Sequence, residues 1–123
     1  MRLAALWLLL FAVYAVTLTI PATAQDRYAG DEPHHLLAAR SWVEDGDLDL
    51  TNQYAERQWA QFVERELRPS GEQVLGRLRE PQGMGTALLA SPAYALGGAR
   101  TVELLIAALT ALGFALAAVL ARR

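Results

Sequence analysis

Two apolar segments, Leu3 to Ile20 and Thr101 to Leu120, stand near the two ends of the chain and bracket a charged middle. Each holds about 18 to 20 residues, which at 1.5 Å rise per residue matches a hydrocarbon core of roughly 30 Å. A chain with this layout is expected to be an all-α membrane protein, with two transmembrane helices joined by an extracytoplasmic loop that carries amphipathic interfacial helices. Arg2 borders the first segment, and Arg122 and Arg123 border the second. Positive charge on both outer flanks puts both termini in the cytoplasm, so the expected location is the plasma membrane, crossed twice. The expected boundaries are residues 1–24 for the first helix, 25–83 for the outward loop, 84–99 for an apolar interfacial or re-entrant segment, and 100–123 for the second helix.

A cleaved signal peptide is the competing reading of the first segment, because Ala22-Thr23-Ala24 before Gln25 fits the small-residue cleavage pattern. The apolar run exceeds the usual signal core of about 7 to 15 residues and its basic flank is a single Arg, which favours an uncleaved helix. A 54% share of hydrophobic residues with a net charge of −2 suits a membrane chain and argues against a nucleic-acid partner. With no cysteine, the loop has neither disulfides nor thiolate metal sites and must be held by packing. Every basic side chain other than histidine is Arg.

Inside the loop, Asp31 and Glu32 precede Pro33, a residue favoured in the first turn of a helix because its missing N–H had no partner there. From Pro33 to about Glu44, Leu36, Ala39 and Val43 with Trp42 form one apolar stripe that fits a helix lying in the membrane interface. The acidic pair then sits at a helix N-terminus, where the partial positive charge of the backbone favours ionised carboxylates. Such a carboxylate can act as a general base, or Asp31 can simply cap the helix. Gly46 ends this helix, and Asp47 to Asn52 reads as a loop. Ala55, Trp59, Phe62, Val63 and Leu67 then repeat at helical spacing, predicting a second amphipathic helix that stops before Pro69-Ser70-Gly71.

Metal chemistry has two candidates. Asp45, Asp47, Asp49, Thr51, Gln53 and Glu56 occupy positions of a calcium-loop template, but Leu50 stands where the template needs Gly, so a solvated acidic turn is the better reading. His34 and His35 are candidate substrate or metal contacts, although neighbours on a helix point about 100° apart and so do not readily share one ion. No cofactor is otherwise required, and a divalent metal is the one candidate. Beyond Pro81, residues 84–99 are apolar but interrupted by Pro92 and closed by Gly97-Gly98, too broken to span, and re-entrant backbone needs cover from other protein. Glu103, one turn after Arg100, is expected to pair with it at the membrane boundary. The second helix is rich in Ala and Gly, which permits close packing and implies further membrane helices or a partner subunit as neighbours.

The run Gly30-Asp31-Glu32-Pro33-His34-His35-Leu36-Leu37-Ala38-Ala39-Arg40, followed by Glu44-Asp45-Gly46-Asp47-Leu48, resembles the first extracytoplasmic loop of the GT-C superfamily of integral-membrane glycosyltransferases, of the protein mannosyltransferase and aminoarabinose transferase kind. The order of parts is similar, and so is Ser91-Pro92-Ala93-Tyr94-Ala95-Leu96-Gly97-Gly98 before the second helix. The resemblance implies sugar transfer at the cell envelope from a polyprenyl-phosphate carrier to an acceptor on the outer face. It implies Asp31 as the general base, with Glu32 beside it in substrate or metal contacts. It covers only the amino-terminal part of such an enzyme, so the chain is expected to be a fragment, a split gene product or one half of a complex, with no transferase activity alone. The alternative expectation is a small two-helix membrane protein whose outward loop binds a partner.

Overall fold

The computed structural model describes residues 2–81 and 83–122, so Arg123, one of the expected flanking charges, lies outside the described residues. In chain order the elements are α1 (Leu3–Thr17), α2 (Glu32–Glu44), α3 (Thr51–Ala55), a 3₁₀ turn (Gln58–Gln61), the strands β1 (Gln73–Val74) and β2 (Arg77–Leu78), α4 (Gly85–Gly97) and α5 (Ala99–Leu120). The fold is mostly helical, and the two strands form one small antiparallel hairpin.

Among the described residues α5 is the one helix long and apolar enough to cross a membrane. Its 22 residues extend about 33 Å. Val102, Ala107, Ala111 and Ala115 are buried, while Leu104, Ile106, Leu109, Leu112, Phe114 and Leu116 are exposed, so the small residues pack and the large ones face outward. The first apolar segment departs from expectation. Its helix, α1, has 15 residues, about 22 Å, and ends at Thr17 rather than Ile20. The hydroxyls of Thr17 and Thr19 bond back to the carbonyls of Tyr14 and Val16 at 2.7 and 2.9 Å. Pro21 follows, and the residue before a proline is pushed away from helical backbone. α1 lies against α5, where the indole N–H of Trp7 donates to the Ala108 carbonyl at 3.0 Å.

α2 starts and stops where its sequence predicts, but it is not a surface helix. Leu36, Leu37 and Ala39 enter a core with Tyr28, Trp59, Phe62, Val63, Leu67, Ala90, Ala93 and Val102. Ala38 joins a second cluster with Leu50, Leu78 and Ala87. The expected stripe fails at its far end, since Trp42 and Val43 are exposed. The second amphipathic helix is also absent as a helix. α3 stops at Ala55, Arg57 takes a left-handed conformation (φ 55°, ψ 34°), and a single 3₁₀ turn follows. Trp59, Phe62, Val63 and Leu67 are nevertheless buried, so the apolar spacing marked the core and not the element.

Within residues 84–99, expected to be broken at Pro92, Gly85–Gly97 form a helix that runs through the proline, α4, packed on α2 and α5. Proline removes the N–H that would reach the Leu88 carbonyl, and the Ser91 hydroxyl donates to that same carbonyl at 2.9 Å. Gly98 alone separates α4 from α5. Its backbone (φ 69°, ψ −154°) is a conformation open essentially to glycine, and it turns the chain sharply between the two helices.

Candidate functional site

The start of α2 brings together the acidic pair and the two histidines, and the helix sends them in different directions. Pro33 sits in the first turn, and Asp31 holds the capping position without any hydrogen bond from its side chain to the helix. Glu32 does the local work instead, its Oε2 accepting the Ala29 N–H at 3.0 Å. Asp31 is exposed, and among the described residues its carboxylate has neither a hydrogen-bond donor nor an ion-pair partner. The expectation that Asp31 caps the helix through its side chain is therefore not met.

Glu32 and His35 line a cleft of about 410 Å³ whose other walls are mainly apolar, including Leu18, Leu36, Val102 and Ile106. α1, α2, α4 and α5 all contribute to it, and Glu103 adds a second carboxylate. Around Glu103 a boundary cluster forms. Arg27 grips the carboxylate with two bonds of 2.9 Å, and Arg100 adds a third at 2.7 Å. Both guanidiniums also donate to the carbonyl of Leu18, where α1 has just ended. Cations are favourable at a helix C-terminus, so the cluster closes α1 and ties it to the start of α5. The expected Arg100–Glu103 pair is present, and Arg27 is a partner the sequence did not announce. Tyr28, on the same wall, has its phenol pushed up to about 12 by burial and then by the Glu103 carboxylate.

His34 turns away from this cleft into a buried cluster. Its Nδ1 lies 2.7 Å from the Tyr54 hydroxyl and 2.9 Å from Glu80 Oε1. The Tyr54 hydroxyl itself donates to Glu80 Oε1 at 2.6 Å, so the Nδ1–H must be the donor to the tyrosine oxygen and the carboxylate. Side-chain exposure is 9% for His34 and 5% for Glu80. Burial pushes the Glu80 carboxyl up, but the bonds from His34 and Tyr54 outweigh it, and the group sits below its ordinary range. The Tyr54 phenol is raised, by burial first and by Glu80 second, and stays a proton donor. Ser70, His34 and Glu80 have the composition of a nucleophile–base–acid relay. The Ser70 oxygen is nearly equidistant from the two ring nitrogens, at 3.4 and 3.3 Å, so it lies off the lone-pair direction of Nε2 and is not aligned for activation.

The acidic stretch after α2 spends its carboxylates on backbone and amide donors. Asp45 accepts the side-chain amides of Asn52, at 2.9 Å, and of Gln53. Asp47 accepts the Asp49 N–H at 2.9 Å. Asp49 accepts the Thr51 hydroxyl at 2.6 Å and the Leu78 N–H at 3.0 Å, which pins the hairpin to the start of α3. The Thr51 hydroxyl leads in holding the Asp49 carboxyl below its ordinary range. Among the described residues no three His, Asp or Glu side chains are placed to hold one metal ion, and His34 and His35 face different surroundings.

The structure thus joins Glu32 and His35 in one cleft, leaves Asp31 exposed to solvent outside its lining, and takes His34 into the core. Sequence reasoning missed Tyr54, Glu80 and Arg27, whose partners lie 20 to 76 residues away along the chain. No family model matches the chain, and neither a curated protein nor a solved structure matches it.

Proposed function

We propose that the chain supplies the acid-bearing outer loop and the adjoining membrane helices of a glycosyltransferase of the GT-C kind, acting with further membrane helices to transfer a sugar from a polyprenyl-phosphate carrier to an extracytoplasmic acceptor. The observation that carries this reading is the unengaged Asp31 carboxylate, one residue before Glu32, which lines an apolar cleft of about 410 Å³ formed between helices. An apolar cleft suits a lipid-borne substrate, and a free carboxylate one residue from its lining suits a proton acceptor. In the step this implies, the acceptor oxygen bonds to the anomeric carbon while the bond from that carbon to the phosphate oxygen breaks. The electron pair leaves with the phosphate, and the acceptor proton goes to Asp31. Glu32, already engaged by the Ala29 N–H, is better suited to shaping the turn than to taking that proton.

Membrane insertion in this proposal involves α1 as well as α5. All large side chains of α1 are exposed or half-buried and apolar, and its contact with α5 through Trp7 supports its retention as a membrane helix over removal as a signal peptide. The two-crossing topology with an outward loop rests on this reading. A partner-binding role for the loop has one observation in its favour, the hairpin tip, where Leu75 is 98% exposed.

The test is complementation with Asp31→Asn in the complete genomic locus, read by mass spectrometry of lipid-linked and envelope glycans. A general base contributes about 10²- to 10⁴-fold in rate, so one glycan is expected to disappear at normal protein level. An unchanged glycan profile after deletion of the whole reading frame would overturn the transferase reading.

A further inference from the structure

A second cleft, of about 450 Å³, opens beside the 3₁₀ turn, with Tyr54, Arg57, Trp59, Glu66, Leu67 and Arg68 on its walls. Its chemistry differs from that of the first. Arg57 and Arg68 both face it, and among the described residues neither has a carboxylate partner, whereas Arg27, Arg40, Arg65 and Arg100 each have one. Arg57 also holds a left-handed backbone conformation at φ 55°, which costs a non-glycine residue about 1 kcal/mol or more and is found where surrounding structure enforces it. Its guanidinium lies 5.3 Å from the centre of the Trp59 ring, an attraction that holds the charge at the cleft wall.

Trp59 and Leu67 are buried, at 4% and 6% exposure, and line the cleft beside the exposed side chains of Arg57 and Arg68. Tyr54 is fixed from behind by its hydrogen bond to Glu80. Glu66 also lines the cleft, leaving a formal charge of +1 from two cations and one anion.

We propose that this second cleft is a binding site for an oxyanion, a phosphate or carboxylate group, held between the guanidiniums of Arg57 and Arg68. Guanidinium forks match such groups in shape and charge and form the stronger, charge-assisted class of hydrogen bond. The inference stands on the cleft alone and does not rest on the transferase reading. Glu66, on the same cleft, lowers its affinity as a repulsive neighbour that a bound anion must tolerate.

The experiment uses the full chain in detergent micelles, titrated with inorganic phosphate at constant ionic strength and followed through the Trp59 indole signal by NMR. The expected result is a saturating shift in the millimolar range. Arg68→Gln and Arg57→Asn, the latter able to keep the left-handed backbone, each weaken binding roughly tenfold, while Glu66→Gln tightens it several-fold. A second arm places the chain in nanodiscs of phosphatidylcholine with and without phosphatidylglycerol. A Trp59 shift there without added phosphate identifies a lipid headgroup as the source of the anion, and its absence together with saturation by free phosphate identifies a soluble one. Should Arg57→Asn fail to fold, Arg68→Gln and Glu66→Gln carry the test. A shift that does not saturate, or an affinity unmoved by both Arg68→Gln and Glu66→Gln, overturns the proposal.

Discussion

Replacing Glu80 with Gln tests whether the buried His34–Tyr54–Glu80 cluster holds the loop onto α2. Glu80 Oε1 receives two hydrogen bonds, from Tyr54 at 2.6 Å and from His34 at 2.9 Å, and its side chain is 5% exposed. Bonds to a charged group are worth about 1.5–3 kcal/mol and neutral ones about 0.5–1.5 kcal/mol, so converting both gives an expected loss of roughly 1–3 kcal/mol. Glu80 Oε2 is buried without a donor, so the new amide group meets no acceptor there and the loss falls toward the upper end. The pH dependence has a definite sign. Because the folded-state carboxyl sits below its ordinary value of 4.5, its stabilisation is present above that pH and is lost as pH falls through the lower folded value. The difference between parent and variant should therefore be full at pH 7 and shrink progressively below pH 4.5. Chemical unfolding in micelles, followed by tryptophan fluorescence across this range, measures it. A difference under about 0.5 kcal/mol at pH 7, or one that does not shrink in acid, would show that the cluster does not stabilise the fold as its geometry requires.

Two further substitutions test the helix framework. Gly98→Ala places a side chain at φ 69°, ψ −154°, and is expected to cost about 1–3 kcal/mol, read as a lower unfolding midpoint, with Gly113→Ala in the middle of α5, where a Cβ meets nothing within 4 Å, as the contrasting control. Ala111→Leu overfills a position that is 0% exposed on α5 and should cost about 1–3 kcal/mol, whereas Leu112→Ala on the exposed face of the same turn should cost markedly less in a micelle.

How much of this was legible in the sequence depends on how local the cause is. α2 was readable because its signals are adjacent to it: Asp31-Glu32-Pro33 starts it and Gly46, at φ 75°, ends it. The helix expected over Ala55 to Leu67 breaks first at left-handed Arg57, and a distant contact then keeps it from resuming. The N–H of Glu64, which a continuing helix would direct to the Ala60 carbonyl, is taken by Asp26 Oδ1 at 2.7 Å, 38 residues earlier. Asp26 also draws in Arg65, at 3.6 Å. The β-hairpin was hidden because its turn carries Leu75 and Gly76, both with positive φ, where the recognisable pair is Asn-Gly or Asp-Gly. For the site, spacing correctly separated His34 from His35, since neighbours on a helix face different ways. It had no means of pairing His34 with Tyr54 and Glu80, because chain periodicity carries no information about contacts between separate elements.

The first turn of α2 is consequently held from both sides, and this firmness is what the proposed proton-accepting role of Asp31 calls for. On the inner side His34 is committed to a buried acceptor pair, and Leu37, one turn on, is fully enclosed. On the outer side Glu32 and His35 face the apolar cleft, which Glu103 also lines, its carboxylate held by Arg27 and Arg100. Structural demands on side chains are met by His34 and Glu32, and among the described residues the Asp31 side chain makes no such contact. A carboxylate that serves no fold contact among the described residues, next in the chain to a glutamate that lines the cleft, can change protonation state without loosening the turn that presents it. That division of labour also separates the variants: Glu80→Gln should unsettle the turn and spare the carboxylate, while Asp31→Asn should remove the carboxylate and spare the turn.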